Sequence, residues 1–196
     1  MLAKSRALSW WESNSASLHQ SQGASGSSVV VRLGQVEDVP AMERVHVVSW
    51  QETYRGLMSY QILDNPGFIA ARERFWTAAL TDERFAQNRI AVVEHDGDVI
   101  GIAMSGPPQD ADASWSVQLY LIYVLVANFG SGAGPALLNA VIDSRDTAAL
   151  WVADPNPRAQ AFYRKHGFMP DEAVKIEDGV REIRLVRADP GTPSPK

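Results

Sequence analysis

The chain has 196 residues, 45% of them hydrophobic and 21% charged, with a net charge of −5 and no cysteine. That length supports one domain with a sizeable core and is too short for two full ones. The missing cysteine excludes disulfides, thiolate metal sites and a cysteine acyl-enzyme. Four scattered histidines offer no metal site, and the acidic balance argues against nucleic acid or an anionic membrane as partner.

Residues 1–28 carry nine serines, with Gly23 and Gly26 near the end. Such a composition buries little surface and reads as a flexible tail. Trp10 and Trp11 are the exception; they either dock opportunistically or pack on a partner subunit. Lys4 and Arg6 are not followed by an apolar stretch, so no secretory signal is expected. The longest apolar run, Leu119 to Ala127, is far short of a membrane span. The cytoplasm is the expected location.

A domain is expected over residues 29–190, with a frayed tail over 191–196. It opens on a strand, Val29 to Leu33. Asp38 is placed to cap a helix with Pro40 in its first turn. His46, Trp50 and Tyr54 share one face of that helix, which breaks at Gly56. Ser59 is expected to start a short turn holding Ile62 and Leu63, and Asn65-Pro66-Gly67 to break the chain again. A second helix is expected over Ile69 to Leu80, with Ala71, Phe75, Trp76 and Ala79 inward. Arg89 to His95 and Val99 to Ser105 read as a hairpin around Asp96-Gly97. The run from Val117 to Val126 reads as a central strand buried on both faces.

After it stand three glycines at alternate positions, Gly130, Gly132 and Gly134, then Pro135 and an apolar helical pattern through Ile142. Strand, glycine loop and helix together hold phosphate: glycine lets the backbone turn its N–H groups on one anion, and the helix dipole adds partial positive charge. A P-loop would need Lys followed by Ser or Thr where Pro135-Ala136 stands. A dinucleotide fold would use Asp154, about 20 residues past Gly134, but the chain that remains cannot supply its other βαβ units. Ala149 to Val152 reads as a short strand. Asn156 caps a helix over Pro157 to Lys165, with Gly167 past its end. Phe168 to Lys175 and Val180 to Val186 close the domain as strands. The order is α+β: a mixed, mostly antiparallel sheet flanked by helices, with one βαβ unit in its middle.

The stretch from Asn156 to Phe168 contains Asn156, Arg158-Ala159, Phe162-Tyr163 and Gly167-Phe168. Following a glycine-rich strand-loop-helix, it resembles the motif of the GNAT (GCN5-related) N-acetyltransferases. Trp50, Tyr54, Arg55 and Gly56 also resemble a subgroup that acts on small molecules. The resemblance spans about Val29 to Val186 and implies acetyl transfer from acetyl-CoA to an amine. It implies that Val124, Leu125 and Val126 offer backbone groups to pantetheine. It assigns the pyrophosphate to Phe129, Gly130, Ser131, Gly132, Ala133 and Gly134. It makes Asn156, Arg158, Ala159 and Phe162 coenzyme contacts and Tyr163 the acid that protonates the leaving thiolate. A phenol of pKa ~10 suits a thiolate whose conjugate acid lies near ~8.5.

The sequence departs from the family in three places. Phe129 replaces a Gln or Arg, Ser131 a basic residue, and Gln118 a Glu often found on the central strand. An amide takes no proton from an ammonium, so a water relay, Glu94 or Glu52 would have to serve as base. His46, Trp50 and Tyr54 on the first helix and Gln118 on the central strand are the acceptor-pocket candidates, the alternative for the three helix residues being packing on the sheet. An enzyme acting on a small amine is the first reading. A non-catalytic acyl-CoA or amine sensor is the second. Family members often dimerise, and composition neither supports nor opposes a homodimer.

Overall fold

The computed structural model describes residues 29–54, 66–177 and 179–188. Strand β1 (Val30–Leu33) leads through a 3₁₀ turn (Val36–Asp38) into helix α1 (Val39–Tyr54); helix α2 is Pro66–Thr81. Strands β2 (Arg89–His95) and β3 (Asp98–Gly106) form the expected hairpin. Asp96 and Gly97 both take positive φ, 53° and 86°, which is the tight turn that Asp-Gly favours. Strand β4 (Val117–Val124), helix α3 (Ala133–Val141), strand β5 (Ala148–Ala153) and helix α4 (Pro157–Lys165) follow, then β6 (Met169–Glu177) and β7 (Val180–Arg187).

The strand order is β1-β2-β3-β4-β5-β7-β6. β4 and β5 run parallel across α3, the expected βαβ unit. The pairs β1–β2, β5–β7 and β6–β7 are antiparallel. No helix among the described residues is long and apolar enough to cross a membrane.

The elements group into two compact units. The first runs to Met104 and takes in Leu121–Val141; the second holds Ser105–Tyr120 and the chain from Ile142 on. In the first, β2 and β3 supply a core of Ile90, Val92, Val93, Ile100 and Ile102, with Met42 and Val45 from α1, Trp76 from α2, and Leu137, Leu138 and Val141 from α3. Gly101 in β3 has no room for a side chain. A Cβ there would stand 2.8 Å from the Tyr123 carbonyl oxygen and 3.0 Å from Leu137 Cδ1. In the second unit, Leu150, Val152, Phe168 and Leu185 are buried, and Arg187 lies over the Phe168 ring.

Three expectations need correction. β4 is not buried on both faces: only Gln118 and Leu119 are buried, and the rest of the strand is half-buried. Its ladder with β5 pairs only Val117, Gln118 and Leu119 with Ala148, Ala149 and Leu150. The doubly buried strand is β3, whose residues after Asp98 are all buried. The second helix starts at Pro66 rather than Ile69, so Pro66 and Gly67 lie in its first turn, where a missing N–H costs nothing. Asp38 does not cap α1. Its carboxylate holds Arg32 through two 2.6 Å bonds and accepts the Gln35 N–H at 2.8 Å. The expectations for residues 1–28, 55–65 and 191–196, and for the Tyr54 side chain, lie outside the described residues.

Candidate active site

The first unit carries the glycine loop. After β4 the Leu125 N–H donates to the Ile100 carbonyl at 2.9 Å, and a 3₁₀ turn (Val126–Asn128) delivers the chain to Gly130. Gly130 and Gly132 both take φ +87°, where a side chain would be strained, and a Cβ at either would meet nothing within 4 Å. The loop amides alternate. Ser131 N–H donates to the Asn128 carbonyl at 3.3 Å, and Ala133 N–H to Ser131 Oγ at 3.4 Å. The N–H groups of Gly130, Gly132 and Gly134 have no partner among the described residues. The Gly132 carbonyl accepts the Ala136 N–H at 3.2 Å and starts α3, so the three bare amides stand at the positive end of that helix. Phe129 and Ser131 bring no cation to them. Phe129 is exposed, as is Val126, while Val124 is half-buried.

The acceptor candidates on α1 divide. His46 is only 4% exposed, its ring 5.0 Å from that of Tyr123 and 5.8 Å from that of Trp76. Burial, reinforced by the Arg72 guanidinium, pushes it down to about 3, so it is neutral at physiological pH. Its Nδ1 and the buried Ser49 hydroxyl one turn on have no hydrogen-bond partner. His46 is therefore packed inside a ring cluster, whereas Trp50 is half-exposed. Glu52 reaches from the same helix to the end of β4, where its Oε2 accepts the Val126 N–H at 3.4 Å. Glu94, the other carboxylate considered, is held by Arg32 at 2.9 Å through Nε and at 2.5 Å through the terminal nitrogen.

The second unit carries the motif helix. Asn156 Oδ1 accepts the Ala159 N–H at 3.1 Å, which leaves its Nδ2 group to donate elsewhere. Pro157 occupies the first turn, and Gly167 turns the chain out at φ +84°. Tyr163 is buried, its ring 5.2 Å from Phe162 and 6.0 Å from Phe168. Arg158 is exposed and Ala159 half-buried. Phe162 is half-buried and stacks on His166 at 4.5 Å.

Gln118 is also in this unit and is only 5% exposed; its Oε1 accepts the Gln109 N–H at 2.8 Å. It serves the connection before β4 rather than facing open space. The same connection is pinned by an ion cluster that the sequence reading did not find. Arg184, 7% exposed, bonds both oxygens of Asp112 at 2.8 Å and Asp171 at 2.8 Å, pairs with Asp110 at 3.5 Å, and lies over Trp115 and Trp151. The signal was the pair Asp110 and Asp112 between two apolar strands.

Residues 44–168 match the model of the acetyltransferase (GNAT) family. The chain belongs to the GNAT family. It is an acyl-CoA-dependent N-acetyltransferase with acetyl-CoA as cosubstrate. An uncharacterised N-acetyltransferase of Bacillus subtilis is 26% identical over 170 residues, covering 84% of this chain and 93% of that protein. One of Mycobacterium tuberculosis is 36% identical over 125 residues, covering 57% and 71%. The fold is shared with the PaiA N-acetyltransferase of Thermoplasma acidophilum, solved in complex with coenzyme A: TM-score 0.61, 17% identity, 80% and 98% of the two chains. It is also shared with a Corynebacterium glutamicum structure described as histone acetyltransferase HPA2 and related acetyltransferase: TM-score 0.65, 21% identity, 85% and 99% covered.

Proposed function

We propose that this GNAT protein transfers the acetyl group of acetyl-CoA to a primary amine on a small molecule, by direct attack of the amine on the thioester. The observation that carries the coenzyme end is the row of bare amides at Gly130, Gly132 and Gly134 at the start of α3. Donors fixed in advance bind an anion without reorganising. Asn156 Nδ2 remains available for an amide of the pantetheine arm. Tyr163 is the acid in this reading. As the amine nitrogen bonds to the carbonyl carbon, the C–S bond breaks and the phenol gives its proton to sulfur. The half-exposed Trp50 suits a cationic amine by cation–π contact.

The test is thiol release from acetyl-CoA against a panel of small amines and short peptides, for wild type and Tyr163→Phe. The variant keeps the ring and loses only the proton donor. We expect kcat to fall about 10²–10⁴-fold with coenzyme binding intact. A variant retaining a third of wild-type kcat removes Tyr163 as the acid. A wild type that is stabilised by acetyl-CoA yet acetylates nothing is a binding protein.

A further inference from the structure

We propose that Glu52 is the general base of the transfer. The inference rests on the reading above and adds the group that takes the acceptor's proton. A primary alkyl amine reaches the enzyme as an ammonium and cannot attack until it loses a proton. The carboxylate must be close to the thioester and must not be spent on another cation. Gln118, at the position where a Glu is often found, is an amide locked to the Gln109 N–H. Glu94 is committed to Arg32 through two hydrogen bonds.

Glu52 meets both conditions. It is exposed and forms no ion pair among the described residues. Oε2 accepts one long hydrogen bond, 3.4 Å, from the Val126 N–H, and Oε1 has no partner among the described residues. Val126 lies at the junction between the end of β4 and the glycine loop. A carboxylate beside a loop built of anion-binding amides repels the diphosphate, so coenzyme binding does not explain its presence. A proton acceptor for a cationic substrate does. The same charge attracts the ammonium, and Trp50, two residues earlier on α1, is half-exposed.

The step balances. Glu52 takes one proton from the ammonium, and the freed lone pair forms the C–N bond as the C–S pair leaves on sulfur. Tyr163 protonates the thiolate and is restored by the second nitrogen proton through solvent. Glu52 then returns its proton to water, so one proton is released per acetyl group.

The experiment compares wild type and Glu52→Gln on two acceptors of similar shape. One is an alkyl amine, protonated at neutral pH; the other is an alkoxyamine, already neutral there. We expect Glu52→Gln to lower kcat/KM for the alkyl amine about 10²–10³-fold, within the range for general acid–base assistance. The loss with the alkoxyamine should stay below about tenfold, leaving only attraction and positioning. The alkyl-amine rate of the variant should recover as pH rises, and stabilisation by acetyl-CoA should not fall, since the lost charge only repelled the diphosphate. Equal losses on both acceptors, or an alkyl-amine rate within threefold of wild type, overturn the assignment. A wild type that acetylates neither these acceptors nor any of the panel overturns the transfer reading itself, and the Glu52 role with it.

Discussion

The two connections at the ends of β4 are built on opposite plans. Before the strand, four polar side chains of residues 109–118 and 147–151 tie the connection down, although the Trp115 indole N–H is buried without a partner among the described residues. Gln109 is bonded to Gln118, Asp110 to the Trp151 indole at 3.1 Å, Asp112 to Arg184, and Ser116 to Thr147. After the strand, the glycine loop leaves every second amide, at Gly130, Gly132 and Gly134, without a partner among the described residues, and a Cβ at Gly130 or Gly132 would meet nothing within 4 Å. From sequence only the second stands out, for its alternate glycines. Polarity alone does not separate the two connections. What separates them is side chains paired within the fold on one side and bare backbone amides on the other.

The largest expected effect comes from breaking the satisfied side. Arg184→Ala removes one cation from among three carboxylates and two indole faces. It should lower stability by about 1.5–3 kcal/mol, the worth of a hydrogen bond to a charged group, because the carboxylates left behind can be hydrated. Urea unfolding measures it, and a change under about 0.5 kcal/mol would mean the cluster is ornament.

The bare side should respond differently. Gly132→Val adds a side chain that meets no protein atom but occupies space beside the bare amides and resists φ +87°. Acetyl-CoA affinity should fall tenfold or more, about 1.4 kcal/mol. Stability should fall by only about 1–2 kcal/mol, the cost of a side chain in that backbone region. Calorimetric titration beside thermal unfolding separates the two quantities. Equal coenzyme affinity would put the diphosphate elsewhere.

The smallest effect is acid sensitivity. The hydrogen bond from Arg184 holds the Asp112 carboxyl below the usual carboxylate range. A depressed folded-state value contributes stability above the unfolded pKa, near ~3.9, and loses it as pH falls through the folded value. The connection before β4 should therefore loosen below about pH 4, while the loop after it, which has no titrating side chain between Phe129 and Pro135, should not. Amide exchange at Gln109 and Ala136 follows each, and Asp112→Asn should weaken the acid dependence at Gln109.

Much of this was legible in the sequence because local chemistry decided it. Asp96-Gly97 could only be a tight turn, Asn156 with Pro157 had to start a helix, and alternate glycines implied backbone donors. What escaped depended on partners far away in the chain. Nothing near Asp112 announces Arg184. Nothing near Glu52 says that its carboxylate reaches the end of β4, or that Gln118 spends its oxygen on Gln109. His46 shows the same limit in reverse. Its place on one helix face suggested a pocket, and only the rings of Trp76 and Tyr123 reveal it as packed.

Gly101 acts as a gauge block. Because it lacks a side chain, the Tyr123 carbonyl of β4 and Leu137 of α3 both close to within about 3 Å of where a methyl would be. The helix that begins at the bare amides and the strand that ends at Val124 are thus measured from the same point. One added carbon would lengthen that measure, and with it the interval between the bare amides and the end of β4. On the proposed reading, where these hold the two ends of the coenzyme, a residue in neither thereby sets the length of arm that fits.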